Sequence, residues 1–244
     1  MGATGATGKH LVKQLLKRGM EVTAVVRSGN KLLDVLKAVD VPPGLEIVEG
    51  EVLSMSSTEL TTLLSSCDCA ASCLGHNLTR KGIYGSPRYL VTDSARRVCM
   101  AVIEQNREHS WPFRFILMNT SGNMNPDEAE RRNAPEMLLT GLIRLFLPPH
   151  RDNEHAAEYL RKGFGGDKSG IEWAAVRPDT LVDEEMPTKY NLHPSPVRSP
   201  LFNPGKTSRV NVAHFIADLA GDESVWTKWK GRMPVIYNDE AMIS

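Results

Sequence analysis

Apolar side chains along the chain recur at two spacings, and the switches between them lay out the elements. Leu11, Val12, Leu15 and Leu16 share one helical face, with Gly19 a natural stop after Arg18. Residues 21–26 form a short β-branched run and predict a strand. Leu32, Leu33, Leu36 and Val39 share a face and predict a helix over 31–39. A strand is expected over 45–48. Ser56 with Glu59 has the pattern of a capping box ahead of Leu60, Leu63 and Leu64. Residues 69–74 are small and apolar and predict a strand, 89–105 a long helix, and 113–118 a further strand. Strands alternating with helices at this interval predict an α/β fold built on a doubly wound parallel sheet.

The second half is less regular. Residues 123–133 are polar and loop-like. Residues 135–147 predict an apolar helix closed by Pro148 and Pro149, and 152–162 a further helix. Residues 163–170 read as a glycine-rich connector, 171–176 as a strand ending at Arg177-Pro178, and 191–206 as a proline-rich extended loop. A short strand is expected over 208–212, a helix over 213–220 and a last strand over 235–237. A chain of 244 residues suits one large domain, so 1–244 is read as a single unit with about 123–150 and 183–207 as insertions or loops. Crevices of such sheets lie beyond the carboxyl ends of the strands, which places the substrate pocket among the loops of this half.

Composition narrows the partners. Lys plus Arg number 29 and Asp plus Glu 29, so the formal charge is zero and a basic face for nucleic acid is not favoured. No apolar run is long enough to span a membrane, and the glycine-rich N-terminus does not read as a secretory signal. Cys67, Cys69 and Cys73 cluster in what reads as a buried strand, and no paired Cys/His set completes a metal site. With Cys99 they read as reduced core thiols, so no metal is expected and the expected compartment is cytoplasm or organelle stroma. A monomer or weak homodimer is expected.

Gly2, Gly5 and Gly8 recur every third residue ahead of the first helix. Glycine permits positive φ and a close backbone approach to phosphate, and the helix that follows aims unpaired N–H groups at an anion. The pattern fits a dinucleotide pyrophosphate held by Gly2, Thr4, Gly5, Ala6, Thr7 and Gly8. Such a loop normally leaves the carboxyl end of a buried strand, and here only Met1 precedes it. The sheet is therefore expected to lack its first strand and the loop to sit at a frayed end, which orders phosphate poorly. Adding about six β-branched residues ahead of it is expected to tighten cofactor binding. The strand over 21–26 runs into Arg27, at the place where the adenosine ribose would lie. A guanidinium cannot accept hydrogen bonds from ribose hydroxyls but can clamp a 2′-phosphate, with Ser28 and Lys31 as further donors. The expected cofactor is NADP(H); the competing reading of Arg27 is a solvated strand-end charge.

Four stretches carry a family resemblance. They are Gly2-Ala3-Thr4-Gly5-Ala6-Thr7-Gly8, Glu21-Val22-Thr23-Ala24-Val25-Val26-Arg27, Gly50-Glu51-Val52-Leu53 and Ile171-Glu172-Trp173-Ala174-Ala175-Val176-Arg177-Pro178. Together they resemble an atypical short-chain dehydrogenase/reductase of the NAD(P)H-binding, NmrA-like group, with a Rossmann-like fold. Leu74-Gly75 followed by Asn77-Leu78, and Ser208-Arg209-Val210 ahead of His214-Phe215, are most similar to the biliverdin-IX-beta reductase or flavin reductase type. The match covers most of residues 2–120 and 152–220. It implies that Glu51 and Val52 meet adenine, that Leu74, Gly75, Thr120, Pro178 and Thr180 border the nicotinamide side, and that hydride passes directly to a stacked acceptor.

The departures bear on chemistry. Glu51 stands where the family usually has Asp. Ordinary short-chain enzymes use a Tyr-x-x-x-Lys pair in which lysine lowers the tyrosine pKa. Here Tyr159 is followed four residues later by Gly163, and Tyr84 and Tyr89 lie too early. Ser121, at the place of the family's active-site serine, is one catalytic candidate, and Asn153 and His155 are others. Asp152 or Asn153 capping a helix is the competing reading. Two functions follow: an NADPH-dependent oxidoreductase of a small planar or carbonyl-bearing acceptor, or a non-catalytic NADP(H) sensor of NmrA type that binds a protein partner. An inert chain lacking its first strand is a third.

Overall fold

In the computed structural model, the central strands are apolar on both faces. It describes residues 1–76, 85–105, 112–128, 130, 134–164 and 170–239, with the side chains of these except at 142, 143, 145 and 146. Asn77, Leu78, Tyr84 and residues 165–169 of the expected connector lie outside the described residues. In chain order the elements are α1 (Gly8–Lys17), β1 (Val22–Val26), α2 (Gly29–Leu36), β2 (Leu45–Glu49), α3 (Ser57–Leu64), β3 (Cys69–Ser72), α4 (Leu90–Glu104) and β4 (Phe113–Met118). Then follow α5 (Ala134–Phe146), α6 (Pro148–Gly163), β5 (Ile171–Pro178), β6 (Thr180–Val182), β7 (Tyr190–His193), β8 (Lys206–Ser208), α7 (Arg209–Gly221), α8 (Glu223–Trp229) and β9 (Val235–Asn238).

The main sheet runs β3-β4-β5-β9-β7, parallel except for β7, which is antiparallel to β9. Alternate side chains of a strand point to opposite faces. Phe113, Phe115 and Leu117 of β4 with Ile171, Trp173 and Ala175 of β5 therefore pack against α3, α4 and α6. Ile116, Ala174 and Val176 pack on the other face, against Leu11 of α1, Phe215 and Ile216 of α7 and Trp226 and Trp229 of α8. Burial on both sides is what makes a parallel strand read as a continuous apolar run.

A second parallel sheet holds only β1 and β2, in register from Val22 with Leu45 to Val26 with Glu49. Val12 of α1 and Leu32 and Leu36 of α2 close one of its faces with Ala24 and Val26. Helix α1 straddles the division, since Leu11 belongs to the main core and Val12 to the smaller one. The expected gap is thus real among the described residues: β1 pairs with β2 alone, and β3 with β4 and the single residue Met1. The loop is not frayed, however. The Met1 amine donates to Ala71 O (2.8 Å) and Met1 O accepts from Cys73 N (3.1 Å), one complete rung of a parallel ladder.

Several expected boundaries shift. The helix expected over 31–39 begins at Gly29, capped by Ser28, and stops at Leu36 because Lys37 takes a left-handed φ of 55°. Val39 is consequently 94% exposed. Pro148 and Pro149 do more than close α5, since they open α6 at its first turn, where a missing N–H costs nothing. Asp152 then falls inside that helix. The short strand expected over 208–212 lies at Lys206–Ser208, and Ser208 caps α7 by accepting from Asn211 N. Strands β6 and β7 and helix α8 have no counterpart in the sequence reading. The Ser56–Glu59 capping box is present in full.

Candidate functional site

Parallel strands in register end level, so their carboxyl-end loops line one edge. Ser72 stands opposite Leu117 and Met118 opposite Val176. The loops after β3, β4 and β5 meet there, beside the glycine loop that follows the Met1 rung. Gly2 has φ +77°, and a Cβ on it would lie 2.7 Å from Cys73 O. A Cβ on Gly8 would lie 2.0 Å from Gly2 O, and Gly5 N donates to Gly2 O at 2.9 Å. Gly2 and Gly8 therefore admit no side chain. Thr7 is buried at the N-cap of α1 without a capping bond from its side chain, and the first turn carries no acidic residue. The positive end of α1 is thus left to Thr4, Gly5 and Ala6, which are half-buried to exposed.

The loops after β1 and β2 build the far end. Gly50 N donates to Val26 O at 2.8 Å, which brings the Gly50–Val52 turn beside Arg27. The Arg27 side chain is 73% exposed, with Nε 3.8 Å from Glu51 Oε1, a surface pairing worth little. Val52 is buried and Glu51 exposed. Ser28 accepts from Lys31 N as the cap of α2. Glu49, which the sequence reading did not single out, accepts from Gly29 N at 2.6 Å and sets a carboxylate on the N-terminus of α2.

At the near end, Gly75 is exposed, and a Cβ there would meet nothing within 4 Å. Asn119, another residue the sequence reading passed over, organises the loop after β4. Its backbone N donates to Val176 O, its Nδ2 donates to Asn153 O at 2.9 Å, and its Oδ1 accepts from Thr120 N. Thr120 Oγ1 accepts from Gly122 N. Ser121 is buried; its N donates to Pro178 O at 2.9 Å and its hydroxyl bonds the Asp179 carboxylate. Burial raises the Asp179 carboxyl above its usual value, with the bonds from Gly205, Ser121 and Thr180 opposing. Pro178 is buried and Thr180 exposed beside this loop.

Thr120, Ser121, Pro178 and Thr180 are therefore brought together, and Asn153 joins them through Asn119; its own Nδ2 donates to Pro149 O. His155 is not among them. It stacks on Tyr89 at 5.7 Å and lines a separate hollow of about 600 Å³ between α4 and α6, with Arg96, Glu158, Tyr159 and Lys162. Tyr159 packs edge-on against Phe164 under Arg96, and burial pushes its phenol up, so it is a packing residue without an activating lysine.

Asp152 caps, but not its own helix. Its two oxygens accept from Val91 N (2.8 Å), Thr92 N (3.0 Å) and Thr92 Oγ1 (2.6 Å) at the start of α4, and from His76 Nε2 at 2.8 Å. Its side chain is fully buried and that of His76 nearly so. This ties the loop after β3 to the N-termini of both α4 and α6.

None of the four cysteines is in a disulfide; burial pushes Cys69 and Cys99 up to about 12 and Cys73 to about 11. Among the described residues no cluster of three His, Cys, Asp or Glu could hold a metal, and no helix is long and apolar enough to cross a membrane.

A family model described as NAD(P)H-binding matches residues 2–223. Similar solved structures include the oxidoreductase ylbE from Lactococcus lactis, 16% identical, covering 98% of this chain and 89% of that one at a TM-score of 0.65. Another is ChuY, an anaerobillin reductase from Escherichia coli O157:H7, 16% identical over 100% and 97% of the two chains at 0.64. A third is a short-chain dehydrogenase/reductase from Veillonella parvula in complex with NADP, 16% identical over 98% and 93% at 0.64. At these identities the likeness is one of Rossmann-like fold. No curated protein sequence matches the chain.

Proposed function

Because the chain belongs to the NAD(P)H-binding family, we propose that it is an oxidoreductase that uses NADPH to reduce a small planar or carbonyl-bearing acceptor. The observation that supports this reading is the glycine loop: two positions closed to any Cβ, followed by an α1 terminus free of acidic residues. The pyrophosphate would rest on Gly2, Thr4, Gly5, Ala6, Thr7 and Gly8. Arg27, with the Lys31 ammonium, would take the 2′-phosphate, and the Glu51–Val52 turn would border adenine. Leu74, Gly75, Thr120, Pro178 and Thr180 would border the nicotinamide.

Bound there, the reduced nicotinamide supplies the hydride; the chain orients and excludes water. In this reading Ser121 positions the Pro178–Thr180 turn through Asp179, and Asn153 holds Asn119 and with it Thr120. His155 serves the α4–α6 hollow, and the proton that accompanies hydride comes from solvent.

The test is to mix the protein with NADPH or NADH and a panel of flavins and quinones while following the absorbance of the reduced nicotinamide. Oxidation that depends on an acceptor supports the reading. Binding without turnover supports instead an NADP(H) sensor with a protein partner. The missing Tyr-x-x-x-Lys pair and the exposed Met137 and Leu138 on α5 favour that second reading. Absence of binding overturns both.

A further inference from the structure

The first turn of α6 holds an imidazole against the loop after β4. A Cβ on Gly122 would lie 3.3 Å from His150 Cε1, 3.9 Å from His150 Nδ1 and 3.5 Å from Thr120 Oγ1. The Cε1–Nδ1 edge of the ring therefore faces the same glycine surface as the Thr120 hydroxyl, and glycine puts no side chain between them. The other nitrogen is turned to a carboxylate: His150 Nε2 is buried and stands 3.3 Å from Glu154 Oε1. Arg144 of α5 donates from Nε to both Glu154 oxygens, at 2.7 and 3.0 Å.

His150 and Glu154 have the i, i+4 spacing of a Tyr-x-x-x-Lys pair, which brings two side chains onto one face of a helix. The charge logic is reversed. A carboxylate beside an imidazole decides which ring nitrogen carries the proton and favours the imidazolium. Here it holds the N–H at Nε2 and offsets the positive end of α6, which an imidazolium in the first turn would meet. Burial raises the Glu154 carboxyl, but the His150 ring and the Arg144 guanidinium outweigh it and hold it below its ordinary value. The His150 side chain is 14% exposed, so solvent reaches it.

Resting on the function proposed above, we infer that His150 is a catalytic residue, the group that passes a solvent proton to the acceptor, and that Glu154 is its positioning residue. A neutral acceptor gains a bond to the hydride of the reduced nicotinamide, and its displaced π pair moves to an oxygen or nitrogen of the acceptor. That atom forms its bond to the proton as the N–H bond at Nδ1 breaks. The ring is left neutral with its N–H at Nε2, and a proton from solvent restores Nδ1.

The experiment has one arm without coenzyme. Imidazole nitrogen shifts, read by NMR on the histidine-labelled chain and assigned with His150→Gln, place the proton of the neutral His150 ring on Nε2, and Glu154→Ala releases that preference. A neutral ring protonated at Nδ1, or one indifferent to Glu154→Ala, overturns the proposal. The second arm supplies NADPH and two acceptors. Menadione becomes an anion on receiving hydride and needs a proton; N-methylacridinium is a cation and becomes neutral without one. His150→Gln slows menadione reduction by about a hundredfold and acridinium reduction by less than about twofold. Equal loss with both acceptors means a structural role and overturns the proposal, as does no loss with menadione. Failure of the parent chain to oxidise NADPH with either acceptor overturns the proposed function and the acid role with it, and is told apart from failure of the His150 assignment alone because the latter leaves the parent active.

Discussion

In the proposed function the choice between two nicotinamide coenzymes would fall on Arg27, whose surroundings are mixed in charge. Glu51 lies 3.8 Å away and Glu49 occupies the Gly29 amide, a donor that a 2′-phosphate would otherwise use. Arg27→Ala is expected to weaken NADPH binding by roughly tenfold to a hundredfold, the worth of one hydrogen bond to a charged group, and to leave NADH unchanged. Glu49→Ala removes a competing anion from the start of α2 and is expected to tighten NADPH by about twofold to fivefold. Calorimetric titration with both coenzymes checks the pair, and equal losses for NADPH and NADH in Arg27→Ala would remove the phosphate-reading role. The tight glycine turn was legible because backbone freedom is a property of the residue itself. Glu49 was not, because its role arises only when Gly29, twenty positions upstream, is folded against it.

At the scale of elements, legibility followed burial. Strand β4 could be read to its ends because both of its faces are buried, whereas Val39 was misplaced because Lys37 ends α2 with a left-handed turn no apolar spacing announces. Asp152 or Asn153 read as a cap on the helix they open; Asp152 caps α4 instead, 60 residues away, and reaches His76 across 76. Asp152→Ala strands Val91 N and Thr92 N and removes the carboxylate from the His76 ring, and is expected to cost about 3 kcal/mol in urea unfolding. Asp152→Asn, which keeps an acceptor, is expected to cost less; equal stability of Asp152→Ala and the parent would deny the cap its role. The Met1 rung gives a pH test. Burial lowers the amine below its ordinary 8.0, with the nearby Cys73, Cys69 and Cys67 opposing. Between the lowered value and 8.0 the unfolded chain binds more protons than the folded one, so this group makes stability rise with pH across that window and adds no further gain above it. An N-acetylated chain is expected to lack this rise when urea midpoints are compared on both sides of the window.

At the scale of the molecule, the coenzyme would span a division in the sheet. In the proposed function its adenosine end would fall on the β1–β2 unit, at Arg27 and Val52, and its nicotinamide end beside the main sheet, at Thr120 and Pro178. Among the links between them are α1, whose Leu11 and Val12 serve different cores, and the apolar packing around Val25 and Val52. The smaller sheet, with two strands and an unpaired edge, is the part expected to open at lower free energy. A ligand that binds only the joined state stabilises it by RT ln(1 + [L]/Kd), about 2.7 kcal/mol at a hundredfold excess over Kd. Saturating NADPH is therefore expected to raise the opening free energy of β1 and β2 amides toward that of β4 and β5, read by hydrogen exchange. Adenosine 2′,5′-bisphosphate reaches the Arg27 end alone, so at the same fractional saturation it is expected to protect the β1–β2 unit without coupling it to the loop after β4. Equal protection of that loop by the fragment and by the whole coenzyme would mean that the two sheets already move as one, and that the division between β1 and β3 has no bearing on how the coenzyme is held.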